Sequence, residues 1–226
     1  MDTFKSKITQ KTELTHNVLE LKIEKPQDFT FDAGQFIQVV IEQDGKEVLR
    51  SYSISSTPDK DHIGLCVKLL DNGLGSNVFK TCREGDEIKF KKANGKFIVQ
   101  NTNNDLFFIA TGAGLAPIMS MIENELKKGS EKQLHLLFGV QHETDIFWQE
   151  RLKNLAQNHN NFTYDITLSK PEDSWKGLGG RVSAHIPEEV SNSDFYLCGS
   201  PAMVTDVRKI LIDNGKDVKD IHFEVF

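Results

Sequence analysis

The feature that most constrains the fold is a change of pattern close to residue 101. Before it, short segments rich in β-branched and aromatic residues, at 18–23, 36–41, 52–55 and 63–69, are separated at close intervals by Gly, Asn, Asp and Pro. They partly alternate apolar with polar residues, as half-buried strands do, and many short strands divided by turns predict a small antiparallel β-barrel. After it, apolar runs too short to be helices (106–110, 133–138, 164–168, 194–198 and 221–226) are interleaved with stretches at helical spacing (116–128, 145–156 and 202–214). Continuous apolar runs are what parallel strands look like when helices cover both faces of their sheet. The sequence therefore predicts two domains, an antiparallel β-barrel over residues 1–101 and an α/β parallel-sheet, Rossmann-like domain over residues 102–226.

Within the first half, Arg50-Ser51-Tyr52-Ser53 places a guanidinium, a phenol and two hydroxyls side by side. On a strand Arg50 and Tyr52 share one face. Arginine binds phosphate, a tyrosine ring offers an aromatic plane, and a hydroxyl can donate to a ring nitrogen; an ordinary strand with one exposed charge would read the same. The glycine-rich stretch Asp71-Asn-Gly-Leu-Gly-Ser-Asn-Val-Phe79 predicts a helix beginning at Ser76 and an anion seat there, although by itself it is a turn with an N-cap. In the second half, Ala110-Thr-Gly-Ala-Gly-Leu-Ala-Pro117 lies between the first strand and the first helix. Glycines there let backbone amides approach an anion, but Pro117 replaces the third glycine of the dinucleotide fingerprint and no acidic residue follows Phe138-Gly-Val-Gln141 to hold a ribose. Cys198-Gly-Ser-Pro-Ala-Met203 falls where a strand ends and the last helix starts, the end of a parallel sheet at which ligands collect. A buried apolar filler is the other reading of Cys198.

Together and in this order the four segments resemble the ferredoxin-NADP reductase superfamily, in its compact form without a fused iron–sulfur domain, and the resemblance covers essentially the whole chain. Arg50-Ser51-Tyr52-Ser53 is similar to the family's flavin motif, Gly73-Leu-Gly-Ser76 to its flavin-pyrophosphate loop, residues 111–117 to its nicotinamide-dinucleotide loop, and residues 198–203 to its Cys-Gly-x-x-x-Met motif. The proline at position 117 then becomes an agreement, since this family uses one there. The resemblance implies a flavin-binding barrel holding FAD and an α/β domain binding NADH or NADPH as substrate. It places Tyr52 against the isoalloxazine, Arg50 and Ser51 at the flavin, and Ser53 beside the flavin nitrogen that accepts hydride. Gly75 and Ser76 would receive the pyrophosphate, which favours FAD over FMN. Thr111, Gly112 and Pro117 would form the pyridine-nucleotide seat with Gly199, Pro201 and Met203, and Cys198 would touch the nicotinamide. At the end of the chain Glu224 would bring a carboxylate to the site and Phe226 an aromatic cover; a last buried strand is the alternative. The implied catalytic group is Ser53, Cys198 and Glu224.

The implied reaction is hydride transfer from NAD(P)H to FAD, followed by passage of single electrons to a separate ferredoxin, flavodoxin or other iron–sulfur protein. Two alternatives are a reductase that releases free reduced flavin and an electron-input subunit bound permanently to a partner. Net charge is −6, from 27 basic and 33 acidic residues, which argues against a nucleic-acid partner because phosphate neutralisation wants a basic face. Residues 1–101 carry 15 basic and 15 acidic side chains, so the whole deficit lies in the second half. Lys89, Lys91, Lys92 and Lys96 accordingly form an expected docking rim for an acidic partner. Cys66, Cys82 and Cys198 are too far apart for a zinc ribbon or a disulfide framework, and the seven histidines show no metal-ligand spacing. No metal site is expected. The opening residues lack a signal-peptide pattern and no apolar run reaches the ~20 residues that span a bilayer, so the expected location is the cytoplasm. After the third strand of the second half, Lys170 would suit a ribose phosphate, whereas Glu172 and Asp173 would repel it, which leans the nucleotide choice towards NADH.

Overall fold

The computed structural model describes residues 3–189 and 192–226, so Met1 and Asp2 of the opening segment lie outside the described residues. The chain forms two compact units, residues 1–99 with 119–124, and residues 100–118 with 125–226. The first holds six antiparallel strands, β1 (Thr3–Thr15), β2 (Val18–Glu24), β3 (Phe36–Gln43), β4 (Lys46–Ser53), β5 (His62–Lys68) and β6 (Glu87–Lys91), in the order β4-β3-β6-β1-β2-β5. Edge strands β4 and β5 meet through a bridge between Ile54 and Leu65 and a 2.8 Å bond from the Ser55 amide to the Gly64 carbonyl. That contact closes the sheet on itself. A barrel interior needs an apolar residue at every second position, and Leu19, Leu21 and Ile23, Ile37, Val39 and Ile41, and Ile63, Leu65 and Val67 supply it. One helix, α1 (Leu74–Thr81), lies between β5 and β6 and contributes Phe79 to this core.

The second unit is built on a six-stranded sheet containing β7 (Asp105–Thr111), β8 (Leu134–Val140), β9 (Phe162–Leu168), β10 (Leu178–Gly179), β11 (Ser193–Gly199) and β12 (Ile221–Val225), in the order β10-β9-β8-β7-β11-β12. All five pairings are parallel. Helices α2 (Leu115–Lys127), α3 (Gln149–Asn158) and α4 (Pro201–Asp213) follow β7, β8 and β11. The reversal of strand order between β7 and β8 on one side and β11 on the other puts the C-terminal ends of β7 and β11 next to each other, where open α/β sheets take their ligands. The two-domain reading, an antiparallel barrel followed by a parallel α/β layer, is what the chain adopts.

Candidate active site

In the first unit, the β3–β4 register places Arg50 opposite Val39 and Tyr52 opposite Ile37. Arg50 and Tyr52 share a face of β4, as alternation requires, and both reach the first turn of α1. A Cβ added at Gly75 would lie 2.0 Å from Tyr52 Oη and 3.8 Å from Arg50 Cγ, so only glycine lets the phenol cross the helix there. The Tyr52 ring meets Phe79 edge-on, with centroids 5.0 Å apart at 87°. Burial pushes the Tyr52 phenol above its ordinary range, with Arg50 opposing; the ring is a neutral aromatic surface. Arg50 is exposed and tethers one guanidinium nitrogen to the Leu49 carbonyl at 2.9 Å.

The start of α1 differs from the expectation. Gly73, not Ser76, is the N-cap, so the helix begins two residues earlier, at Leu74. The Ser76 hydroxyl is turned into the preceding loop, where it accepts the Leu70 amide at 2.8 Å. What Ser76 offers at the helix end is its backbone amide, together with those of Leu74 and Gly75, because the first intrahelical bond is the 2.9 Å contact from the Asn77 amide to the Gly73 carbonyl. No side chain caps this end and its first turn holds no acidic residue. Unpaired amides and the positive end of the helix dipole therefore face one spot, with the Arg50 side chain passing beside Gly75, which fits a pyrophosphate. Ser51 is exposed and Ser53 buried on the opposite face of β4.

Sequence reasoning missed the continuation of this strand. Ser55, Ser56 and Thr57 are all buried. Ser56 Oγ accepts the Gly64 amide at 2.9 Å and donates to the His62 carbonyl at 3.1 Å, and Ser120 Oγ donates to the Ser56 carbonyl at 2.6 Å. Thr57 Oγ1 is buried with no hydrogen-bond partner among the described residues. The signal was the hydroxyl run Ser55-Ser56-Thr57.

In the second unit, Thr111 ends β7 and Gly112, at φ 53°, opens a single 3₁₀ turn before α2. The neighbouring β11 ends at Cys198 and Gly199. These two loops pack without space for a side chain: a Cβ at Gly114 would sit 2.2 Å from the Cys198 carbonyl oxygen, and one at Gly199 would sit 2.1 Å from Thr111 Oγ1. Pro117 is buried in the first turn of α2, where its missing amide leaves no bond unmade. Ser200 caps α4 by accepting the Met203 amide at 3.3 Å, with Pro201 at the first helical position. Met203 Cε lies 2.9 Å from the Gly199 Cβ position.

Cys198 pairs with Ala110 on one side and Glu224 on the other. It is fully buried, and its thiol is pushed well up, first by burial and then by the Glu224 carboxylate. A thiol held neutral in this way is not a nucleophile. The Phe226 amide donates to the Gly199 carbonyl at 3.1 Å, which fixes the last residue beside the same strand end, where it is 52 % exposed. Thr111, Gly112, Cys198, Gly199, Met203, Glu224 and Phe226 are thus gathered at the C-terminal ends of β7, β11 and β12, and Pro201 opens the helix that leads away from it.

Residues 5–98 match the family described as "Oxidoreductase FAD-binding domain" and residues 108–209 the family described as "Oxidoreductase NAD-binding domain". A ferredoxin-NADP reductase B of Sorangium cellulosum (strain So ce56) is 32% identical over 99% of this chain and 97% of its own length. The chain belongs to the ferredoxin-NADP reductase family. It is accordingly an FAD-dependent NAD(P)H oxidoreductase by family, with FAD as cofactor and NAD(P)H as the nucleotide bound. Other members are longer: the anthranilate 1,2-dioxygenase electron transfer component of Acinetobacter baylyi is 30% identical over 76% of this chain but only 51% of its own length. Among solved structures, a ferredoxin NADP+ reductase from Neisseria gonorrhoeae with bound FAD and NADP superposes with a TM-score of 0.88 at 23% identity, covering 100% of this chain and 99% of that one. Like the other reductases of this fold, the chain has a barrel followed by a parallel sheet. Among the described residues no helix is long and apolar enough to cross a membrane.

Proposed function

We propose that this chain takes hydride from NAD(P)H onto FAD and passes the electrons one at a time to a separate ferredoxin, flavodoxin or other iron–sulfur protein. The observation that carries this reading is the start of α1, where three amides without intrahelical partners meet Arg50 and the Tyr52 ring with no acidic residue in the turn. Bound FAD would supply the conversion between two-electron and one-electron chemistry. The acceptor class is supported by relatives whose names are ferredoxin-NADP reductase and dioxygenase electron transfer component.

In this reading residues 1–101 are the FAD-binding domain and residues 102–226 the NAD(P)H-binding domain. The amides of Gly75 and Ser76 and the Arg50 guanidinium hold the pyrophosphate, and Tyr52 covers the ring system with Ser51 and Ser53 along the same strand. Thr111, Gly112, Pro117, Gly199, Pro201 and Met203 shape the nucleotide seat. Cys198 supports the nicotinamide with its neutral thiol, and Glu224 sets the charge beside it. Nothing in this set acts as a strong base; its work is positioning, which is what hydride transfer needs. NADH is the preferred nucleotide, because exposed Glu172 and Asp173 follow Lys170 in the loop after β9. The cytoplasm is the proposed location, supported by three well-separated free cysteines.

The test is to reduce the FAD-loaded protein anaerobically and mix it with ferredoxin, flavodoxin and free FMN in turn. Faster oxidation by either protein than by free flavin supports the reading. Loss of reduced flavin from the protein supports a flavin reductase, and oxidation only by a partner that co-purifies in stoichiometric amount supports an electron-input subunit; either outcome overturns it.

A further inference from the structure

An unpaired sheet edge is a row of backbone donors and acceptors open to another strand. Among the described residues the two sheets end in four edge strands, β4 and β5 in the first unit and β10 and β12 in the second. Strands β4 and β5 meet each other through Ile54 and Leu65, and β10 is only two residues long. Strand β12 is protected in neither way. Its five residues, Ile221-His222-Phe223-Glu224-Val225, keep an unbroken register on β11. They include no lysine, proline or bulge to blunt the outer edge.

The Phe226 amide donates inward, to the Gly199 carbonyl of β11. Alternation therefore turns the amides and carbonyls of His222 and Glu224 inward as well, and those of Ile221, Phe223 and Val225 outward to the open edge. Side chains keep the same period: Ile221, Phe223 and Val225 share one face of the strand, His222 and Glu224 the other. Ile221 is buried in the apolar cluster with Val207 and Leu211 of α4. Phe223 stays 44 % exposed although the Arg208 guanidinium lies over its ring at 4.4 Å, and Val225 is 48 % exposed. Apart from Leu70, the exposed large apolar side chains among the described residues are Ile212, Val218, Phe223, Val225 and Phe226. All five belong to α4, to β12 or to the segments next to β12, and an apolar patch gathered in this way marks an interaction surface.

The strand is complementary to itself. Turned antiparallel about Phe223, it sets Phe223 opposite its own copy and Ile221 opposite the partner's Val225. These are the residues whose backbone groups face outward, so every such pair exchanges both of its N–H···O bonds. In the pairs between them, where side chains approach more closely, an imidazole meets a carboxylate, His222 against the partner's Glu224. A twofold axis through Glu224 would instead set two carboxylates face to face, which is destabilising. Backbone direction, apolar matching and charge thus select the same register. We propose that β12 pairs antiparallel with β12 of a second copy of this chain, about a twofold axis at Phe223, and joins two six-stranded sheets into one. The contact is self-complementary, and it closes as a dimer that leaves neither β12 edge open.

Sedimentation velocity of the FAD-loaded protein at micromolar concentration tests this, with amide hydrogen exchange beside it. The wild type is expected to sediment as a dimer. Phe223→Lys sets two ammonium groups face to face at the axis, and Val225→Pro removes an outward amide without breaking a bond to β11. Each is expected to weaken the dimer roughly tenfold or more with FAD still bound. In the wild type the Phe223 and Val225 amides are expected to exchange more slowly as protein concentration rises. A wild-type protein that stays monomeric, or a dimer that survives both variants, overturns the proposal. Exchange at those two amides that is independent of concentration also overturns it, and this readout needs no variant to fold. Protection that comes only on adding an acceptor protein assigns the edge to that partner and overturns self-pairing.

Discussion

At Gly75 and Gly114 the same added methyl group has opposite consequences. At Gly114 it would press on the Cys198 carbonyl, which a parallel sheet holds fixed, 2.2 Å away; Gly114→Ala is expected to destabilise the fold by about 2–4 kcal/mol, read as a lower denaturant midpoint. At Gly75 it would meet the free end of Tyr52, which can swing aside. Gly75→Ala is therefore expected to keep most of the stability and lose FAD affinity, measured by flavin retention on gel filtration; full retention would contradict the placement of Tyr52. Tyr52→Ala is expected to weaken retention as well. The shared face of Arg50 and Tyr52 was legible because strand alternation is a local rule. The orphaned Thr57 hydroxyl was not, because whether a hydroxyl finds a partner depends on residues far away in the chain.

Elements were legible where their core face is continuous. Five of the six strands of the second unit were read as short apolar runs, the two-residue β10 being the one missed, and α4 was expected at 202–214 and found at Pro201–Asp213. Strand β1 was missed: of its thirteen residues, Thr3–Thr15, only Ser6 and Ile8 are buried, and apart from Phe4 and Leu14 the rest are Lys, Thr, Gln and Glu. Strand β6 was not read as a strand, because its apolar residues are only Ile88 and Phe90. Helix α3 starts at Gln149, later than the expected 145, since Trp148 takes a left-handed conformation at φ 56° and a separate 3₁₀ turn covers Glu143–Asp145. Caps were only partly legible. Gly73 displaced Ser76 at α1. The cap of α4 is Ser200, which the sequence reading had not named, and Ser200→Ala is expected to cost about 1 kcal/mol, seen as a small fall in Tm with hydride transfer retained.

For the whole molecule, the balance of charge favours the first unit as the meeting point with an acidic acceptor, but the expected lysine rim is narrower than its sequence suggested. Lys89 is paired with Glu47 at 2.5 Å and feels Glu42 as well, which takes its charge out of the rim. Replacing Lys91, Lys92 and Lys96 by Gln is expected to slow reduction of an acidic acceptor at low salt and to have little effect at high salt. Stability should also depend on acid. Burial holds His135 and His222 below 6.5 in the folded chain, so the unfolded chain binds protons more readily and stability is lost as pH falls from about 6.5 through the folded values. Denaturant midpoints that stay flat over that interval would contradict it. The central claim is that a flavin held at α1 accepts hydride from a nicotinamide held at the ends of β7 and β11. Anaerobic rapid mixing of the FAD-loaded protein with NADH tests it most directly: the yellow absorption should bleach in a single fast phase that slows in Cys198→Ala with flavin still bound, and a protein that takes up no FAD, or whose bound FAD stays yellow with either nucleotide, would contradict the account.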